Sequence, residues 1–164
     1  MCHMNCTVRV VLLSGVLAAV GCAPPVDVPS ALEVTQISSG WFDAGLDSLG
    51  RKKIVPSVSF RLENETDDEL GFLQINAVFR RAGETEGWGT KFIRVAGTEG
   101  IPPGETTELL RLDSNRGYTG EQSQAEMLGH SEFVDVQMDL YVKHRAQQWA
   151  LLETLDIDRQ LLIQ

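Results

Sequence analysis

Phe133-Val134-Asp135-Val136-Gln137-Met138-Asp139-Leu140-Tyr141-Val142-Lys143 decides the fold class. Val134, Val136, Met138, Leu140 and Val142 alternate with Asp135, Gln137, Asp139, Tyr141 and Lys143. Successive side chains of an extended chain point to opposite sides. Alternation over this length therefore describes a strand with one face in a core and the other toward water. A helix would scatter the same apolar residues around its circumference.

The same period recurs upstream. In residues 54–63, Val58, Phe60 and Leu62 oppose Ser57, Ser59, Arg61 and Glu63. In 72–81, Leu73, Ile75, Ala77 and Phe79 point inward. Shorter strands are expected at 32–38, with Leu32, Val34 and Gln36 on one face, at 91–96, with Phe92 and Arg94 opposite Ile93 and Val95, and at 106–112, with Leu110 and Leu112 inward. A last strand is expected at 148–157, followed by a tail that pairs or frays. Polar, Gly-rich turns separate them: an acidic one at 64–71, a Gly/Glu one at 82–89, and one at 97–104 carrying Pro102-Pro103-Gly104. Residues 39–53 read as a long loop whose Trp41, Phe42 and Leu46 pin it to the edge of the core. In the irregular stretch 113–131, Ser123 is placed to cap a short helix over 124–128. Connections too short for helical crossovers imply antiparallel pairing. The expectation is an all-β fold, an antiparallel two-sheet sandwich, immunoglobulin-like, of seven or eight strands, with an up-and-down barrel as the alternative.

The N-terminal segment is of another kind. Arg9 is the one fixed charge before residues 10–20, which are apolar except for Ser14 and Gly15. That is the length of a signal-peptide core and short of the roughly 20 residues of a spanning helix. Leu17-Ala18-Ala19-Val20-Gly21-Cys22 closes it with small residues and a thiol. Here the chain resembles bacterial lipoproteins, whose processing box ends in a small residue followed by Cys; Ala19 stands where that family prefers Leu. The resemblance implies a leader over 1–21, thioether-linked diacylglycerol on Cys22 with a further fatty acyl chain on its amine, a proline-rich tether over 22–30 and a domain over 31–164. With Ala23 rather than Asp next, it also implies the outer membrane, facing the periplasm, and membrane partnership through the lipid anchor. Two or three acyl chains hold a domain stably, whereas one is marginal. An ordinary secretory signal cut near Ala23 and a buried apolar strand are the other readings of this segment.

Composition sets limits. The 14 Lys and Arg against 23 Asp and Glu give −9, and losing Arg9 with the leader makes −10. That sign argues against nucleic acid and against an electrostatic grip on anionic lipid, so anchoring would come from the acyl chains. Of the three cysteines, Cys2 and Cys6 fall in the leader, so the domain stands without a disulfide and Cys22 is left over. Removing 1–21 leaves 143 residues, enough for one domain with a core of its own.

A strand ending in Asn64, a second ending Phe79-Arg80-Arg81-Ala82-Gly83, and Pro103-Gly104-Glu105 ahead of a third are together similar to bacterial immunoglobulin-like envelope domains of the FxLYD type, over residues 54–112. That resemblance implies a sandwich with an accessory role and no catalytic residues.

Candidate chemistry is sparse. His130 and His144 sit at strand borders and read as exposed loop histidines; their spacing matches no metal motif. His130-Ser131-Glu132 contains the residue types of a hydrolase triad, but sequence neighbours on an extended chain point apart. Glu63, Glu65, Asp67, Asp68 and Glu69 read as a solvated hairpin tip and not an EF-hand loop. Asn64-Glu65-Thr66 fits the N-glycosylation pattern and is discounted in a bacterial lipoprotein. Trp88, between two glycines, and Tyr118, in Gly117-Tyr118-Thr119-Gly120, are the candidate contacts for a partner or ligand; Trp88 reads equally as a cap folded over one end of the sandwich. Trp41 and Trp149 read as core or core edge. The expectation is a non-enzymatic envelope module displaying loops to a protein partner, with no metal, no cofactor and no nucleic acid; the alternative is a periplasmic module for a small ligand or glycan.

Overall fold

The computed structural model describes residues 25–162. The expected leader, 1–21, and Cys22 lie outside the described residues. A helical turn, α1 (Val28–Ala31), leads into β1 (Leu32–Leu46) and β2 (Lys52–Asn64), an antiparallel hairpin. The chain then crosses to a second sheet for the hairpin β3 (Leu73–Arg81) and β4 (Gly89–Arg94). It returns for β5 (Leu110–Asp113) and β6 (Tyr118–Gly120), both paired with β2. After α2 (Gln124–Leu128) it crosses again for the hairpin β7 (Val136–His144) and β8 (Ala150–Asp156). The sheets are β1-β2-β5, with β6 continuing along β2, and β4-β3-β7-β8; all strand pairs are antiparallel. The fold is the two-sheet sandwich, with eight strands among the described residues. Among the described residues no helix is long and apolar enough to cross a membrane.

The alternating residues fill the space between the sheets. Val58, Phe60, Leu62, Leu73, Ile75, Ala77, Phe79, Met138, Leu140 and Val142 are all fully buried. α2 lies where Ser123 starts it. The Ser123 hydroxyl accepts from the Glu126 N–H, and the Glu126 carboxylate accepts from the Ser123 N–H, a reciprocal cap that satisfies two otherwise orphaned donors.

Several expectations change. β1 runs on through the expected loop to Leu46. A bulge separates Thr35↔Arg61 from Ser38↔Ser59, with Gln36 in the left-handed region at φ 53°. The extra residue reverses which side chains face inward: Val34 before it, Ser39 and Trp41 after it. Trp41 is therefore core and not edge. Val134 precedes β7 and is partly exposed, and Trp149 lies on the surface. His144 is buried, because it continues the inward parity of Val136 to Val142 by one more step. The tail pairs: Trp41 N–H donates to the Gln160 carbonyl at 2.7 Å and Leu162 N–H to the Trp41 carbonyl at 2.9 Å. A Cβ on Gly40 would lie 2.9 Å from that Gln160 oxygen, so glycine is what lets the tail approach. Within the expected tether, Val28 opens α1 and its side chain is buried.

The sandwich has two unlike poles. At one, Asn64 is wholly buried and every bonding position of its amide is used. Its NH2 donates to the Asp68 and Ile101 carbonyls, both at 2.8 Å, and its Oδ1 accepts from the Thr66 N–H and hydroxyl. Asn64→Ala removes these bonds from a buried position and leaves the Thr66 N–H without its acceptor, while the Asp68 and Ile101 carbonyls each keep one other donor. It is expected to cost about 1–3 kcal/mol, and urea unfolding monitored by fluorescence measures it, with an unchanged m-value as the sign that the fold itself persists.

Candidate functional site

The other pole carries an aromatic cluster. β1 delivers Trp41, β6 delivers Tyr118, the turn before β4 delivers Trp88, and the turn before β7 delivers Phe133. Tyr118 is the hub: its ring lies 5.4 Å from Trp41, 5.0 Å from Phe133 and 5.1 Å from Trp88, centroid to centroid. Trp41 and Phe133 meet edge to face at 4.8 Å. Such pairs add to area burial by about 0.5–1.5 kcal/mol each.

Close backbone approach makes the cluster possible. A Cβ on Gly89 would sit 2.1 Å from the Ser114 hydroxyl oxygen, and one on Gly117 would sit 1.9 Å from the Ile54 carbonyl oxygen. The glycines flanking Trp88 and Tyr118 thus bring two loops together until the rings touch. Trp88 is held further by its N–H, which donates to the Phe79 carbonyl at 2.7 Å. The Tyr118 hydroxyl donates to the Val134 carbonyl at 3.1 Å. Burial pushes the Tyr118 phenol up from its ordinary pKa, with the nearby Arg81 charge opposing.

Cations frame the rings. The Arg81 guanidinium lies 6.0 Å from the Trp88 centroid, and that of Arg159 lies 4.9 Å from Phe133. Arg159 also donates to both oxygens of Asp135 and to the Phe133 carbonyl, clasping the tail to the start of β7. Its hydrogen bonds, and then its charge, hold the Asp135 carboxyl below the usual range against the opposing effect of burial.

Trp88 and Tyr118 are both half-buried, and each lends a surface to a different shallow depression. Tyr118 borders one of about 260 Å³ with Gln122, His130 and Glu132; Trp88 borders one of about 250 Å³ with Asn115 and Arg116. Neither of these two depressions is lined by both rings. His130 is exposed, and its Nδ1 accepts from the Glu132 N–H at 3.2 Å, a local turn contact. A larger cleft, about 720 Å³, lies at the opposite pole. Pro25 and Val26 form part of its wall, between residues 66–70 and 144–147. Gln147 ties the incoming chain there, its Nε2 donating to the Val26 carbonyl at 3.0 Å. Glu33 and Glu63, direct cross-strand partners, converge with Glu65 so that one oxygen from each lies within 4.8 Å of the others, a cluster of like charges at the sheet surface.

Trp88 and Tyr118, singled out in the sequence by their neighbouring glycines, lie in one cluster; no pattern in the sequence places Trp41 and Phe133 beside them or marks His144 as buried. No protein-family model matches the chain, and no curated protein matches it.

Trp88→Ala, Tyr118→Ala and the double variant form a cycle whose coupling is expected at about 0.5–1.5 kcal/mol; additivity of the two losses would mean the stack contributes nothing beyond burial. His144 supplies a second test. Burial holds its imidazole below the ordinary value near 6.5, Arg145 adds to this, and the Gln147 side chain opposes. The unfolded chain therefore takes the proton more readily. Stability is full above pH 6.5 and is lost as pH falls from there toward the folded value. Melting curves between pH 7.5 and 5 should show a smaller acid loss for His144→Gln than for the wild type.

Proposed function

We propose that the chain is a lipid-anchored, non-enzymatic cell-envelope protein. In this reading residues 1–21 are a leader, acylated Cys22 holds the protein in the outer membrane facing the periplasm, and the sandwich displays its far pole to an envelope protein partner. One observation carries the reading: the chain enters the domain at the pole opposite the aromatic cluster. Val26 is bonded to Gln147 beside His144 and Leu73, whereas Trp88 is bonded to Phe79 at the other end of β3. Strands rise about 3.3 Å per residue, so the six steps from Leu73 to Phe79 put about 20 Å between those ends. Anchor and aromatic surface then occupy separate ends, and a partner reaches Trp88, Tyr118 and the Arg81 and Arg159 side chains without meeting the bilayer.

The half-exposed rings support a second reading, a small-ligand or glycan module. The two depressions beside them are each below the roughly 300 Å³ at which ligand pockets begin, which favours a protein partner over an enclosed ligand.

The test is intact mass and membrane partitioning of the protein from its host, wild type against Cys22→Ala. The expected outcome is a diacylglyceryl-type mass increment on the wild type with recovery in the membrane fraction, both lost in the variant. An unmodified, soluble wild type would overturn the anchor.

A further inference from the structure

We infer that the outer face of the second sheet, at the end where the chain enters, is a contact surface for an anionic bilayer; this rests on the lipid-anchor reading above. The register sets out the face in rows. Phe92, Asn76, Tyr141 and Leu151 are successive cross-strand partners over β4, β3, β7 and β8. Their parity is opposite to that of the buried Ile75, Ala77, Leu140 and Val142, so the row points away from the core. The adjoining row is Arg94, Gln74 and Lys143. Trp149 lies across both: its ring is 5.9 Å from the Lys143 ammonium and meets Phe92 edge-on at 6.2 Å. Phe92 is 56% exposed, Leu151 47% and Trp149 40%. In a chain of net charge −9 these two rows hold two cations and no acid.

Further along the same face the chemistry changes. Asp139 is buried by its ion pair with Arg80 at 2.6 Å and by the Thr154 hydroxyl, which donates to it at 2.9 Å. That half is closed by its own side chains. The aromatic and cationic half is left open.

The position of the incoming chain names the occupant. Three peptide units separate Cys22 from Pro25, a reach of at most about 11 Å. Val26 is bonded to Gln147, two residues before Trp149. An acylated Cys22 therefore brings the Trp149 end of the sheet to the headgroups. Aromatic rings with flanking Lys and Arg suit that zone: the rings enter the interface and the cations meet lipid phosphates. On the other side of the incoming chain lies the acidic turn with Asp67, Asp68 and Glu69, which an anionic surface repels. Attraction on one side and repulsion on the other tilt the domain onto its second sheet.

The experiment uses the full processed protein, purified in detergent and reconstituted into phosphatidylethanolamine–phosphatidylglycerol vesicles whose acyl chains carry bromine, a quencher of tryptophan fluorescence. Neutral phosphatidylcholine vesicles are the control. Trp41 and Trp88, at the far pole, are the internal reference. The expected result is quenching of the wild type that is lost in Trp149→Phe, retained in Trp88→Phe, and weakened by Arg94→Glu with Lys143→Glu, which leave Trp149 in place; circular dichroism checks that each variant is folded. Acylated protein that floats with the vesicles but shows no Trp149-dependent quenching overturns the contact surface and leaves the anchor standing. A dimer that dissociates on Trp149→Phe, with no such quenching, assigns the face to a second copy instead and overturns the inference. Protein without the acyl mass that does not float removes both readings.

Discussion

The buried amide of Asn64 is the interaction on which the arrangement of the sandwich turns. Both connections that leave the first hairpin's end and return to it close on this one side chain: the 64–72 crossing through Thr66 and Asp68, and the return from β4 through Ile101. The backbone joins in, with the Asn64 N–H donating to the Glu105 carbonyl and the Gly104 N–H to the Asn64 carbonyl. A hydrophobic side chain would fill the space but take one of two donors from each carbonyl and the acceptor from the Thr66 N–H. A buried amide with every position used is stable where a half-used one is not. The turn with Pro102, Pro103 and Gly104 gains its place from this contact. The glycosylation-like triplet is explained by it too, since both amide hydrogens are committed inside the fold.

Closing one pole with hydrogen bonds leaves the other to be closed by rings. There the strands end in glycine-flanked turns, and Trp41, Tyr118, Trp88 and Phe133 supply area that short loops lack. The tail adds a second seal over Trp41 through Gln160 and Leu162. A domain without a disulfide depends on such seals, because nothing else restrains loops at the ends of a two-layer core. The polar pole receives the chain at Pro25 and Val26, and the aromatic pole carries the half-buried rings of Trp88 and Tyr118.

The candidate site was half legible. Gly87-Trp88-Gly89 and Gly117-Tyr118 mark themselves because a large ring between glycines is unusual in a turn. Their meaning was not legible. The glycines exist for contacts with Ser114 and Ile54, which are distant in sequence from Gly89 and Gly117. From the sequence Trp149 reads as core or core edge. Its ring instead lies over Lys143 on the solvent side, a placement decided by the turn ahead of β8.

By itself the sequence determined the period-two faces of β2, β3 and β7, the turns between them, the capped helix α2, and hence two layers with a continuous core. These follow from parity and capping, which act between residues a few positions apart. Only the tertiary structure decided the second half of β1, the burial of His144, the pairing of the tail beside Trp41 and the aromatic stack. A single extra residue near Gln36 reverses the parity of everything after it, and no local pattern reports that reversal until β2 supplies the register. Parity turns His144 inward, but whether that side is closed depends on the 66–70 turn and Val26 beside it, chain nearly 80 and 120 residues away. Periodicity records which side of a strand a residue takes, whereas what lies over that side is a long-range fact that the folded chain alone contains.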